Sequence, residues 1–191
     1  MIFGPPSLVT MADELRWVSD TTCYTHLCRA GYDWILQRLA PGGVLVVPVE
    51  VAREIDIGRN RYASIPPVAS VSWAEIADLT DAEALTALVV KAQLGGGPSE
   101  HLGECAVIAC AHHRGFIAIV DDRAAVEQAR QFGVRCHGTL WVVIEAYKKG
   151  LLADRDLLAQ VLDDLAGTGI FLPKPTGESL INWALEEGLL P

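Results

Sequence analysis

Short apolar runs alternate with helical stretches along this chain, and the alternation constrains its fold more than any other feature. Val44–Val47 and Phe116–Val120 are apolar runs that predict buried strands, whereas Thr80–Leu94 carries a helical pattern. Strands separated by helices form a parallel sheet that helices cover on both faces. We therefore expect an α/β fold, a three-layer α/β/α sandwich with a central parallel sheet, plus C-terminal helices.

Turn and capping residues set the expected boundaries of each element. Thr80 and Glu83 have the spacing of a capping box, and Gly115 suits the end of a helix. The predicted strands are Leu15–Ser19, Val44–Val47, Val68–Trp73, Phe116–Val120 and Val134–Cys136. The predicted helices run from the capping residues Thr21 and Thr22 to about Leu39, from Pro48 to about Ile57, and over Thr80–Leu94, Glu100–Arg114, Arg123–Phe132, Thr139–Lys149, Asp154–Leu165 and Gly177–Glu187.

The charge of the whole chain does not favour a nucleic-acid partner. Asp and Glu total 24 against 15 Lys and Arg, a net charge of -9, whereas phosphate partners usually meet a basic surface. Carboxylates that bind metal, and a basic protein partner, would each explain the excess of acid. A local phosphate-binding rim is one interpretation of six arginines, and ordinary solvated side chains are the other: Arg53, Arg59, Arg61, Arg114, Arg123 and Arg130.

The cysteines and the terminus indicate a cytoplasmic protein. Five cysteines are scattered without a C-x-x-C pair, which argues against a disulfide framework or a zinc knuckle and favours free thiols in a reducing compartment. Met1–Thr10 lacks the basic and apolar regions of a signal peptide. No apolar stretch reaches about 18 residues, so we expect no membrane span.

Acidic residues fall where the predicted strands end. Asp20 follows the first strand, and Asp121 and Asp122 follow a later one. The carboxyl ends of parallel strands meet at one edge of a sheet, where ligands bind in open α/β folds. Glu54 and Glu104, each on a helix, can lean over the same edge. Each acid alone fits a helix cap or a turn, and only their joint placement favours a site.

Carboxylates that converge in this way require compensation. Two of them about 5 Å apart at an effective dielectric of about 20 repel by roughly 3 kcal/mol, and four repel by several times as much. Protons, basic groups or divalent cations can offset that cost. Oxygen ligands that leave coordination positions open suit Mg²⁺ or Mn²⁺, and these ions support phosphodiester cleavage.

Five segments, in order along the chain, resemble the motifs of PIN-domain nucleases, and in particular the VapC-like toxins. The similarity spans about Arg16 to Leu152, and the tail through Phe171 is similar to the C-terminal extension of one VapC-like subgroup. The resemblance thus divides the chain into a PIN-like nuclease domain, residues 1–152, and a helical extension packed on it, residues 153–191. The segments are Val18–Thr22, Val47–Ile55, Leu102–Ala111, Ile119–Ala125, and His137–Leu140 with Lys148–Leu152.

The resemblance implies a metal-dependent endoribonuclease that hydrolyses RNA, often as the toxin of a toxin–antitoxin pair. A small basic antitoxin protein and a second copy of the chain are the implied partners. The implied catalytic residues are Asp20, Glu54, Glu104 and Asp122, and the implied ligands of Mg²⁺ or Mn²⁺ are Asp20, Glu104, Asp121 and Asp122. Thr21 can add a hydroxyl to a water-mediated shell. Two residues depart from the family pattern, because Glu50 could replace Glu54 and Trp141 stands where a small residue is usual.

Two other functions compete with this hypothesis. In the first, the chain is a catalytically weak PIN-like module that binds RNA or protein, which the net charge of -9 would suit. In the second, it is a different phosphohydrolase on a similar sheet. A haloacid-dehalogenase-like phosphatase is disfavoured, because the first strand is followed by Asp20-Thr21-Thr22 and not by the D-x-D motif.

Overall fold

The computed structural model describes residues 15–191. They form five parallel strands flanked by helices, in the order β3-β2-β1-β4-β5, which confirms the predicted α/β class. The strands are β1 (Trp17–Ser19), β2 (Leu45–Pro48), β3 (Ala74–Ala77), β4 (Ile117–Ile119) and β5 (Cys136–His137). The helices are α1 (Thr21–Ala30), α2 (Asp33–Leu39), α3 (Val49–Arg59), α4 (Asp81–Leu94), α5 (Leu102–Arg114), α6 (Arg123–Gln131), α7 (Thr139–Lys148), α8 (Arg155–Gly167) and α9 (Gly177–Glu186).

The sheet register brings the acid-bearing ends of the strands together. Ser19 of β1 pairs with Ile119 of β4, so the residues that follow both strands leave the sheet at the same edge. The backbone N–H of Asp20 continues the ladder by donating to the carbonyl oxygen of Ile119 at 3.0 Å. Central strands buried on both faces explain why these segments are continuously apolar.

Two groups of helices enclose the sheet. α5 packs against β1, β2 and β4 and contacts α3, α4 and α6, while α7 contacts α2 and α8. Nearly all of α5 from Cys105 to Ala111 is buried, because this helix lies between the sheet and other helices. α8 also packs on α1 and α9, so the C-terminal helices share the core of the described chain.

The third strand was predicted wrongly. Val68–Ser70 forms a 3₁₀ turn, and β3 begins only at Ala74. β3 is an edge strand whose Glu75 and Ile76 are exposed, so it lacks the apolar signal of a central strand. Of the apolar residues before it, Val68 and Trp73 are buried in the connection, where Trp73 stacks on Tyr24 with ring centroids 5.3 Å apart.

The first predicted helix is two helices, α1 and α2. Gly31 ends α1 in the left-handed region with a φ of 80°, a conformation that glycine adopts without steric cost. The N-terminal cap of α1 also differs from the prediction, because Asp20 and not Thr21 or Thr22 accepts the backbone N–H of Cys23. The capping box of Thr80 and Glu83 and the left-handed Gly115 are confirmed.

The remaining predictions from composition concern thiols and membranes. All five cysteines are free, and four of them are buried. Within residues 15–191, no helix has the length and hydropathy needed to cross a membrane. The prediction about Met1–Thr10 lies outside the described residues.

Candidate functional site

Asp20 is the buried centre of an acidic cluster at the carboxyl edge of the sheet. Its side chain is 3% exposed and accepts two backbone hydrogen bonds, from Cys23 at 3.1 Å and from Asp121 at 3.3 Å. The first bond caps α1, and the second ties the end of β1 to the end of β4. Asp20 therefore lies where the central strands β1 and β4 end and the chain continues into helices.

The electrostatic environment of Asp20 opposes its negative charge. The pKa of Asp20 is raised to about 8, mainly by burial, and the neighbouring charges of Asp121 and Glu104 contribute to the rise. The hydrogen bonds from Cys23 and Asp121 act in the opposite direction. The structure thus brings Asp20 and Asp121 together through a hydrogen bond, and Glu104 is near enough for its charge to help raise the pKa of Asp20. We call these three residues the acidic cluster.

Asp121 is held by the segment that follows β5. The backbone N–H of Thr139 donates to its Oδ1 at 2.9 Å, and the Thr139 hydroxyl donates to Oδ2. Burial raises the pKa of Asp121, while both bonds from Thr139 lower it. A Cβ on Gly138 would lie 2.7 Å from Oδ1, so only glycine allows this close approach. The Gly138-Thr139 pair thus forms a cradle for the carboxylate.

Glu54 ties three helices together. Its Oε1 accepts the backbone N–H of Gly103 at 3.0 Å, and its Oε2 accepts the hydroxyl of Thr21. A Cβ on Gly103 would lie 2.7 Å from Oε2. Both oxygens of Glu54 are therefore engaged with α1 and α5, and in this structure Glu54 positions the helices that carry the cluster.

Glu104 lies in the first turn of α5 with its side chain 23% exposed, and its charge makes the smallest contribution to the raised pKa of Asp20. The residue before this helix, His101, has a φ of 60° and is the non-glycine residue with positive φ among those described. Its Nδ1 is 3.7 Å from a carboxylate oxygen of Glu104. Non-glycine residues with a positive φ, such as His101, are often found at functional sites.

Two predicted acids occupy other positions. Asp122 is exposed, and its Oδ1 accepts the backbone N–H of Ala125 at 2.8 Å, so it caps α6. The structure thus brings Asp121, and not Asp122, into the cluster with Asp20. Glu50 is partly buried, and its Oε2 has no hydrogen-bond partner. The structure gives Glu50 no contact that would let it replace Glu54 at Thr21 and Gly103.

The cluster suits a hard divalent cation by its chemistry. In the described part of the chain, no group of three or more His, Cys, Asp or Glu side chains forms a ready cage for a metal ion. Mg²⁺ is commonly bound through one or two carboxylates, water and substrate phosphates, without an all-protein cage. The carboxyl oxygens of Asp20, Asp121 and Glu104 are hard donors of that type, and by their chemistry they fit Mg²⁺ or Mn²⁺.

Sequence reasoning gave no site role to Gly103, Gly138 or Thr139. The available signal was a glycine and a threonine directly after a short strand, at the edge where the acids gather. Trp141, the residue that departs from the family pattern, stacks on His137 with ring centroids 3.9 Å apart and an interplanar angle of 10°. It therefore packs directly behind the Gly138-Thr139 cradle.

An open parallel α/β sheet with acids at its carboxyl edge belongs to the class of α/β proteins that bind ligands at that edge. Residues 16–186 match a family model described as a PIN domain, and the chain belongs to that family. PIN domains are generally nucleases, which are hydrolases. The match includes α8 and α9 as well as the sheet. No curated protein was found to match this sequence significantly.

Proposed function

We propose that this protein is a metal-dependent endoribonuclease that hydrolyses phosphodiester bonds of RNA. The observation that carries the proposal is the contact of the buried Asp20 with Asp121, at 3.3 Å, in an environment where burial, Asp121 and Glu104 together raise the pKa of Asp20 to about 8. A fold that keeps such a cluster against its electrostatic cost has a use for it, and a bound divalent cation would remove that cost.

The residues have distinct parts in this proposal. Asp20, Glu104 and Asp121 would hold Mg²⁺ or Mn²⁺, which when bound polarises a phosphoryl oxygen and activates water. Thr139 orients the carboxylate of Asp121 through two hydrogen bonds. Glu54 sets the distance between α1 and α5 through Thr21 and Gly103. Asp122 serves as the cap of α6.

Cleavage of single-stranded RNA by the wild-type chain with Mn²⁺ and with excess chelator, and by three variants with Mn²⁺, tests the proposal. We expect chelation, Asp20→Asn and Asp121→Asn each to reduce the rate roughly 100-fold or more, because several kcal/mol of transition-state stabilisation come with the metal. Asp122→Asn is the matched control, since Asn caps a helix as well as Asp does. Equal rates with Mn²⁺, with chelator and in Asp20→Asn would refute metal-dependent cleavage.

A non-catalytic binding module is the second candidate. It is favoured by the hydrogen bonds that Asp20 and Asp121 already receive from Cys23, Asp121 and Thr139, which support these carboxylates without an ion. Thermal melts with Mn²⁺ separate the two functions. An ion that binds only the native state at about 100 times its Kd stabilises it by roughly 2.7 kcal/mol. No shift of the melting temperature and no cleavage would favour the module.

The VapC-like assignment, the antitoxin and the homodimer stay predictions that derive from the resemblance. A small basic antitoxin would complement a chain of net charge -9. Co-purification from native expression tests the antitoxin, and recovery of the chain without any small protein would count against it. Sedimentation analysis of the purified chain tests the homodimer.

A further inference from the structure

A surface pocket of 540 Å³ opens beside the acidic cluster. It is lined by Asp121, Arg123, Val126, Glu127 and Arg130. All but the first lie on α6, which begins directly after the Asp121-Asp122 pair. The pocket therefore connects a member of the cluster to two basic side chains on the adjoining helix.

Five of the six arginines proposed for a phosphate-binding rim fall into two groups in the structure. Arg59 donates to a backbone carbonyl beyond α3, Arg114 forms an ion pair with a buried glutamate of α4, and the guanidinium of Arg61 lies 5.6 Å from the ring of Tyr62. These three contribute to the fold. Arg123 and Arg130 are instead exposed and border the pocket next to the cluster.

The spacing of the two arginines places both on the pocket side of α6. Arg123, Val126, Glu127 and Arg130 recur at i, i+3, i+4 and i+7, which is one face of a helix. Seven residues correspond to about 10 Å along the helix axis. Two guanidinium groups at that separation can contact two different phosphates of a single strand.

The ion pair of Arg130 leaves this side chain available to a ligand. Its Nη1 is 3.6 Å from a carboxylate oxygen of Glu127, and the two side chains are 69% and 61% exposed. Exposed pairs of this kind contribute little and are screened by salt. A phosphate, which guanidinium groups bind through two parallel hydrogen bonds, can replace the carboxylate of Glu127.

We infer that the α6 pocket is a phosphate-binding subsite that takes the backbone of single-stranded RNA on one side of the cleavage point, through Arg123 and Arg130. The inference rests on the proposed function, because Asp121 connects the subsite to the acidic cluster. It also gives a chain of net charge -9 two basic side chains beside the cluster with which to hold a polyanionic substrate.

The test measures the salt dependence of binding of a fluorescently labelled oligouridylate to the full chain, by anisotropy in chelator, which prevents metal-dependent cleavage. We expect Arg123→Ala and Arg130→Ala each to reduce the steepness of the plot of log K against log salt by about 0.7. The ratio of the variant's Kd to the wild-type Kd should therefore be about eightfold larger at about 50 mM salt than at about 1 M salt. Glu127→Gln should tighten binding. Arg38→Ala is the matched control. Arg38 is an exposed arginine near the end of α2, and because the chain goes from there to the start of β2, it lies toward the amino ends of the strands and away from the acidic cluster.

The outcomes separate this inference from the proposed function. Unchanged slopes in both arginine variants, with normal binding by the wild-type chain, would refute the subsite and leave the nuclease proposal intact. Equal losses in Arg38→Ala would also refute it. If polyglutamate of equal charge displaces the RNA, the pocket binds acidic protein segments and the RNA subsite is refuted. Absence of RNA binding by the wild-type chain would overturn the subsite, and cleavage with Mn²⁺ then decides the function independently.

Discussion

Thr139→Val removes one hydroxyl from the cradle of Asp121 and changes the shape of the side chain little. Thr139 is completely buried, and its hydroxyl donates to the Asp121 carboxylate. A hydrogen bond to a charged group contributes about 1.5–3 kcal/mol, and valine would leave a largely buried carboxylate oxygen without that donor. We therefore expect the free energy of unfolding to fall by about 2 kcal/mol, and the melting temperature by about 4–8 °C.

The effect depends on pH in a defined direction. The two bonds from Thr139 lower the pKa of Asp121, so they stabilise its charged form. Their contribution is therefore complete at high pH and is lost as pH falls through the pKa of Asp121. Thr139→Val should be most destabilising at high pH, and the difference from wild type should narrow in acid.

Urea unfolding in chelator measures this effect without interference from metal ions. Thr25→Val is the control, because the Thr25 hydroxyl donates only to backbone carbonyls within α1, and its loss should cost less than about 1 kcal/mol. A double-mutant cycle with Asp121→Asn isolates the coupling between the two side chains, which we expect to be at least about 1 kcal/mol. With Mn²⁺, RNA cleavage should fall by about 10–100-fold, as for residues that orient metal ligands. Wild-type stability of Thr139→Val together with zero coupling would refute the cradle.

Three further substitutions test the charges and the packing of the fold. Because the pKa of Asp20 is raised to about 8, the protein without metal loses stability as pH rises from about 4 to 8. In chelator, Asp20→Asn should therefore have a higher melting temperature than wild type at about pH 8 but not at about pH 5. The same difference in melting temperature between variant and wild type at both pH values would contradict this. Arg114, first, and hydrogen bonds with Thr80 lower the pKa of Glu83 to about 2, which corresponds to about 3 kcal/mol of stability that is present above about pH 4.5 and lost toward pH 2. Arg114→Ala removes the largest of these contributions, so it should cost about 3–5 kcal/mol and weaken the acid transition, as urea titrations across pH will test. Gly177→Ala should cost about 3 kcal/mol, since its Cβ would lie 2.1 Å from a backbone carbonyl oxygen of α8, whereas Gly167→Ala meets no atom within 4 Å and should be neutral in the same melts.

Particular elements indicate why some of the fold could be predicted. β1, β2 and β4 are central and buried on both faces, so their sequences are mostly apolar and could be recognised as strands. The edge strand β3 pairs on one side only and exposes Glu75 and Ile76, so its position could not be read from hydrophobicity. The break at Gly31 was readable in principle, because a left-handed glycine is a common helix end.

The assignment within the Asp121-Asp122 pair shows what local pattern leaves open. Both residues follow β4, and either can cap the helix that begins at Arg123. Only the packed structure aims Asp121 at Thr139, a segment 18 residues away, and leaves Asp122 exposed as the cap. Glu54 is similar, because its partners Thr21 and Gly103 come from helices distant in sequence.

The sequence by itself determined the α/β class, the central strands and the edge of the sheet at which acids gather, because those properties follow from hydrophobic periodicity and from the parallel direction of the strands. Only the tertiary structure decided which carboxylates are buried together, which oxygen each donor reaches and which arginines remain available. Those choices depend on contacts between segments far apart in the chain, and both distance and burial, which control electrostatic energy, arise only when the chain is packed.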